Sequence, residues 1–253
     1  MSSVCVSVII PAYNCAKYID KAIDSALHQN VSLEIIVIND CSTDNLDEVM
    51  EKYATVNNLL YIKNEQNLGA AKSRNKGVAL AKGEYVAFLD GDDLWREGKL
   101  EKQLKAIQEK NTPLCTTARE ILGEDGALTG KIIPTRTHIS YKQLIRHNCI
   151  SCSSVLLKKD VALKFPMHHE DSHEDYIMWL EILKEYNFAC GINEPLLLYR
   201  QSSTGKSGSK LKSAKMTFKV YRYVGFGVFK SVLCFCSYAI NGAYKHWFGG
   251  KIK

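Results

Sequence analysis

Chain breakers are scarce in this sequence, with 5 prolines and 16 glycines in 253 residues. Collagen-like repeats and Pro-rich disordered arrays are thereby excluded, and 46% apolar with 24% charged residues is the balance of a globular chain. Acids are absent beyond Glu194, whereas eleven Lys and Arg lie between Arg200 and Lys253. The net charge of +6 therefore combines a mildly acidic body, 22 basic against 27 acidic groups, with a tail of +11. A uniformly basic nucleic-acid binder is not divided this way, so no nucleic-acid partner is expected. The nine cysteines offer one CxxC, Cys149 and Cys152, with no second pair or histidine pattern to complete a zinc site. Reduced thiols in a cytosolic setting are expected. Met1 to Ser3 lead straight into an apolar strand with no basic n-region or cleavage site, and no secretory leader is expected.

A long apolar run is also missing. Val224 to Ile240 is apolar for 17 residues but broken by Lys230, and a membrane span needs about 20. Phe226, Phe229, Phe235 and Tyr238 between basic flanks fit an amphipathic helix lying in an anionic membrane surface. The alternative is a helix packed on the body with solvated lysines.

What is present is an alternation. Val4 to Ile10, Glu34 to Asn39, Leu59 to Lys63 and Tyr85 to Leu89 read as buried strands, the first ended by Pro11. Helical patterns fall between them at Lys17 to His28, Asp44 to Tyr53 with Ser42 or Thr43 as cap, and Ala70 to Ala81. Beyond Lys99 the pattern predicts a helix to about Glu109, a strand near Leu114 to Arg119 and a hairpin at Glu124-Asp125-Gly126. Helices at Tyr141 to His147 and Asp175 to Tyr186 flank a strand at Ser153 to Lys158, and the polar segment 202–210 marks a boundary. The fold class expected is α/β, with a mostly parallel sheet, helices on both faces and a helical tail. The division is 1–205 for the α/β domain and 206–253 for the basic amphipathic tail.

In such sheets ligands bind beyond the carboxyl ends of the strands. Those ends carry Pro11-Ala12-Tyr13-Asn14, Asn39-Asp40-Cys41-Ser42-Thr43-Asp44 and Asp90-Gly91-Asp92-Asp93. Three acids within four residues repel one another, and a hard divalent cation, Mg²⁺ or Mn²⁺, relieves that repulsion. Metal with carboxylates points to a phosphate-bearing ligand. Asp40 and Asp44 are equally suited to capping the helix that follows them, and Tyr13 alone would be a packing residue. Trp95 and Trp179 suit core or cleft walls.

These segments, with Asn67-Leu68-Gly69-Ala70-Ala71-Lys72-Ser73-Arg74-Asn75 and Glu174-Asp175-Tyr176 followed by Trp179, closely resemble the family 2 glycosyltransferases with the GT-A fold, over about residues 4–200. The resemblance implies that Tyr13 lies against a uracil base, that Asp40 accepts a hydrogen bond from it, and that the backbone at Pro11 lines the same pocket. It implies a diphosphate partner in Arg74, a DxD element in Asp90-Gly91-Asp92 with Asp92 as metal ligand and Asp90 on ribose or metal, and a general base in Asp175. Two His-Glu-Asp triplets, ending at Asp171 and Asp175, compete for that last role. Relatives often carry a histidine after the Tyr-Arg pair, where this chain has Ser202. Gly205-Lys206-Ser207 lacks the upstream glycine of a Walker A loop, Arg200 standing in its place.

The resemblance thus implies an inverting transferase using a UDP-sugar donor and a lipid-linked saccharide acceptor in O-antigen, capsule or lipopolysaccharide synthesis. It would be cytoplasmic and peripheral at the inner face of the bacterial inner membrane. A non-catalytic GT-A-like subunit of an assembly complex is the alternative. A nucleotidyltransferase would need a glycine-rich basic loop where Pro11-Ala12-Tyr13-Asn14-Cys15 stands.

Overall fold

The structure is a computed structural model and describes residues 5–201 and 210–247. Its first half follows the expected alternation: β1 (Val6–Ala12), α1 (Ile19–Leu27), β2 (Leu33–Asn39), α2 (Leu46–Glu51), β3 (Leu59–Lys63), α3 (Ala70–Leu80) and β4 (Tyr85–Phe88). There follow β5 (Leu94–Trp95), α4 (Lys99–Lys110), β6 (Leu114–Leu122), β7 (Leu128–Ile133), β8 (His138–Ser140), α5 (Tyr141–Arg146), β9 (Leu156–Lys158) and α6 (Lys159–Lys164). The last elements are α7 (Glu174–Tyr186), β10 (Phe188–Arg200), α8 (Lys210–Tyr223) and α9 (Val228–Trp247). One sheet runs β3-β2-β1-β4-β9-β6-β10-β5, with β7 and β8 added beside β6 and β10.

The four leading strands are parallel, with Val8 opposite Ile35 and Ile10 opposite Val37. Because side chains alternate across a strand, Val8, Ile10, Ile35 and Val37 build one core with α1, and Ile9, Ile36 and Ile38 build the other with α3 and α7. Burial on both faces accounts for the unbroken β-branched runs. Pro11 does not end β1: it pairs opposite Ile38. It shares the parity of Ile9, whose carbonyl accepts from Leu89 on the β4 side. Pairing with β4 stops at Ile9, so the donor that proline lacks is not called on.

Three local expectations need correction. Ser42 and Thr43 do not cap α2, which begins after Asn45 without a side-chain cap bond. Residues 152–154 form a short 3-10 turn ahead of β9, so the strand is only the second half of the expected segment. The 13-residue β10 was not anticipated, because Gly191, Pro195 and register shifts on either side of Pro195 erase the period of two. In the tail, α8 contributes Val220 to the core and buries Tyr221, whose hydroxyl donates to the Ile145 carbonyl at 2.7 Å.

Candidate active site

The loops after β1 and β2 are laced together at the carboxyl edge of the sheet. Asn14, at a left-handed φ of 50°, donates its backbone N–H to Ser42 Oγ at 3.1 Å and accepts from the Thr43 N–H at 2.8 Å. Asp44 accepts from the Ala16 N–H at 2.9 Å, so it braces the β1 loop instead of capping α2. This bracing leaves the Tyr13 ring 51% exposed over the rim, available for stacking and not part of the core.

Asp40 is buried and organises the third motif. Its Oδ1 accepts from the Leu68 N–H at 2.9 Å and from Asn64 Nδ2 at 2.8 Å, and its Oδ2 accepts from the Gly69 N–H at 2.7 Å. It too is no cap for α2. Gly69 sits at φ +89°, and a Cβ there would fall 2.5 Å from the carboxyl carbon of Glu170. Glu170 Oε1 accepts from the Ala71 N–H at 2.6 Å and the Lys72 N–H at 3.2 Å, capping α3 from a segment about a hundred residues away. Glu170 was missed in the sequence; a helix start with glycine at the cap position and no nearby acid was the available signal.

The acidic loop after β4 is pinned from both sides. Asp90 accepts from Arg74 Nη2 at 2.6 Å, and the other terminal nitrogen of Arg74 donates to Glu174 at 3.2 Å. Arg74 is therefore buried behind the DxD loop, joining it to the start of α7. Gly91 lies against Cys15, whose Sγ would be 2.7 Å from any Cβ. Burial, with Asp44 and Asp92 nearby, pushes the Cys15 thiol up to about 12, so it is a packing group and no nucleophile. Arg200 fastens the loop's far end: its N–H donates to Asp93 Oδ1 at 2.9 Å, its Nε to the Asp92 carbonyl at 2.9 Å and its Nη1 to the Gly123 carbonyl at 3.0 Å. Its guanidinium also lies 4.4 Å over the Tyr18 ring. The sequence pointed to Arg200 only as a landmark in the Tyr-Arg pair.

Asp92 is half-buried, and burial first, then Asp90, lifts its carboxyl to about 6. Asp93 is buried with Oδ2 bonded to nothing. Among the described residues no group of three His, Cys, Asp or Glu is gathered to hold a metal. A divalent ion of the Mg²⁺ type nevertheless fits here. It binds through one or two carboxylates plus substrate phosphates, and its charge offsets the Asp90 repulsion that adds to burial in raising the Asp92 carboxyl. Ser202 lies outside the described residues.

The two His-Glu-Asp triplets separate clearly. Asp171 is exposed and taken up by α8, with Lys219 Nζ at 2.5 Å and the Tyr223 hydroxyl at 2.9 Å. Asp175 lies in the first turn of α7, one residue from Glu174 and the Arg74 link, and burial followed by the charge of Glu174 raises its pKa. Glu174 was read only as part of a motif; its ion pair with Arg74 ties the start of α7 to the acidic loop. The rim therefore gathers Tyr13, Asp40, Asp90, Gly91, Asp92 and Asp175, with Arg74 beneath them.

Comparison with known proteins decides the family. The profile described as glycosyl transferase family 2 matches residues 7–162. The chain belongs to glycosyl transferase family 2. This glycosyltransferase is 35% identical to TuaG of Bacillus subtilis (strain 168), a protein named for teichuronic acid biosynthesis, over 95% of this chain and 96% of that one. It is 32% identical to the Escherichia coli UDP-Glc:alpha-D-GlcNAc-diphosphoundecaprenol beta-1,3-glucosyltransferase WfaP over 98% of both chains. The S. aureus TarS 1–349 structure in complex with UDP-GlcNAc shares the GT-A fold, at a TM-score of 0.72 and 20% identity, over 99% of this chain and 76% of that one.

Proposed function

We propose that this family 2 glycosyltransferase moves a sugar from a UDP-sugar to a hydroxyl of a lipid-linked saccharide, with inversion, in the synthesis of a bacterial cell-surface polysaccharide. The observation that carries this reading is the Arg74 bridge, which holds the acidic loop and the Asp175 helix together across one cleft. The UDP donor is supported by the exposed Tyr13 ring beside Asp40 and by the nucleotide named for TarS and WfaP. The lipid-linked acceptor is supported by the diphosphoundecaprenol named for WfaP.

In this reading Tyr13 stacks on uracil, and Asp40, whose Oδ2 keeps one lone pair beyond its bond from the Gly69 amide while Oδ1 is filled by Leu68 and Asn64, accepts from the base. The backbone at Pro11 lines the base pocket, and Gly91 lets the diphosphate approach the loop. Asp90 contacts the ribose. Asp92 would hold Mg²⁺ or Mn²⁺, and the ion would supply neutralisation of the charge on the departing diphosphate. Asp175, its basicity raised by burial, takes the proton of the acceptor hydroxyl. The hydroxyl oxygen bonds to the anomeric carbon as the carbon–diphosphate bond breaks on the opposite face. Arg74 orients Asp90 from below and is a positioning residue.

The tail is read as a membrane contact. Val228, Phe229, Val232, Leu233 and Ile240 of α9 are 44–79% exposed and recur along one face of the helix, while Tyr238 packs against His147 and Tyr176 on the other. Each such side chain gains roughly 1.5–3 kcal/mol on full burial, and basic residues on both sides of the run in the sequence, Arg222 before it and Lys251 and Lys253 after it, suit anionic headgroups. No described helix is long and apolar enough to cross a membrane. This favours peripheral attachment at the cytoplasmic leaflet, with 1–205 as catalytic unit and 206–253 as attachment unit. Product analysis by NMR after incubation with a UDP-sugar panel and a polyprenyl-diphosphate saccharide tests the reading; a retained anomeric configuration contradicts it.

A further inference from the structure

β6 carries two buried polar atoms that have no partner. Thr117 Oγ1 and Arg119 Nε are both sealed from water and bonded to nothing, and they share one side of the strand because they are two residues apart. Arg119 as a whole keeps partial exposure. The Tyr199 ring lies 5.5 Å from the guanidinium carbon. Among the described residues no side-chain hydrogen bond to Nε is made. Asp93 acts on its charge without reaching it. A desolvated cation without a counter-ion is costly, and an incoming anion removes that cost.

The position narrows the anion. Arg119 stands between the acidic loop, through Asp93, and the tail helix, through Tyr238, whose phenol also feels Asp175. Tyr238 in turn packs 6.4 Å from Tyr176, the residue after Asp175. The donor diphosphate belongs to the Asp92 side of the loop. Arg119 is thus on the side of the acidic loop that faces the tail helix read as meeting the membrane, and we take this as the acceptor side. When a diphosphate is attached directly to the accepting sugar, its phosphates lie one sugar ring from the hydroxyl that reacts. A planar guanidinium matches them bidentately.

We propose that Arg119, helped by Thr117, is the binding site for the phosphate groups of the acceptor, and so selects diphosphate-linked acceptors over neutral glycosides. This rests on the reading of the acceptor as lipid-linked through a diphosphate. The test uses full-length protein preloaded with UDP. Two probes are titrated calorimetrically, the citronellyl diphosphate ester of GlcNAc and the phosphate-free citronellyl glycoside. Wild type is expected to favour the diphosphate probe roughly tenfold to hundredfold, the range of one or two charge-assisted hydrogen bonds. Arg119→Met should bring that ratio close to one with UDP affinity unchanged, and Arg119→Lys should restore part of it. If Arg119→Met does not fold, Arg119→Gln is read for the same ratio. A variant that keeps the wild-type ratio overturns the assignment and leaves the acceptor reading standing. Parallel loss of UDP affinity also overturns it, by placing Arg119 on the donor side. A wild-type ratio near one overturns both the assignment and the diphosphate acceptor on which it rests.

Discussion

Arg74 binds Asp90 at 2.6 Å from one terminal nitrogen while the other reaches Glu174 at 3.2 Å. One guanidinium on α3 thereby sets the spacing between the acidic loop after β4 and the helix that carries Asp175.

Arg74→Met leaves Glu174 buried without its cation and Asp90 partly so. The expected loss is about 3–5 kcal/mol of unfolding free energy, the usual result of breaking a buried pair from one side. Urea denaturation checks it. Arg74→Lys should be intermediate, since an ammonium cannot fork to two carboxylates. A midpoint unchanged in Arg74→Met would show that the pairs contribute nothing.

Gly69→Ala sets a side chain at φ +89° and drives its Cβ into the Glu170 carboxylate that caps α3. A cost of roughly 2 kcal/mol or more is expected from backbone strain and the displaced cap. UDP affinity should fall with it, because the same turn is tied to Asp40. Thermal unfolding and UDP titration read the two effects separately.

Lys99 is buried with its Nζ 3.9 Å from the Trp95 ring and bonded to Gln103 Oε1 at 2.8 Å. Burial lowers its pKa to about 7, against about 10.4 in an unfolded chain. Between those values the unfolded chain holds the extra proton, so stability from this group rises with pH; below 7 both states hold it and the contribution is flat at its lowest. Wild type should therefore gain roughly 1–3 kcal/mol relative to Lys99→Met between pH 7 and 9. A pH-independent difference between the two proteins would contradict the buried, readily deprotonated ammonium.

Phe229→Asp with Leu233→Asp places charge on the open face of α9, where both side chains are more than half exposed. Flotation with phosphatidylglycerol vesicles should show about tenfold or greater loss of binding, with the thermal midpoint retained. These substitutions are better suited than truncation, because α8 places Val220 in the core.

The first ninety residues were legible because strands buried on both faces leave continuous apolar runs, and Leu59–Lys63 lies where the pattern placed it. The rim motifs were legible because each follows such a strand. What stayed hidden depends on distant partners. The capping of α3 by Glu170, the clamp made by Arg200 and the α8 contacts of Asp171 each join segments far apart in the chain, and no local spacing encodes them. Arg74 illustrates the limit. Its motif suggested a phosphate ligand, whereas the buried Glu174 and the part-buried Asp90 claim its terminal nitrogens. The antiparallel additions β5 and β8 are two and three residues long, too short to carry a periodic signal.

The most direct test of the central claim is the rate of UDP release by Asp175→Asn beside Asp171→Asn, with a UDP-sugar donor, Mn²⁺ and a polyprenyl-diphosphate saccharide. The account predicts a loss of roughly 10²–10⁴-fold for Asp175→Asn with UDP affinity retained, and near wild-type turnover for Asp171→Asn. Full turnover in Asp175→Asn, or loss in Asp171→Asn alone, would contradict it.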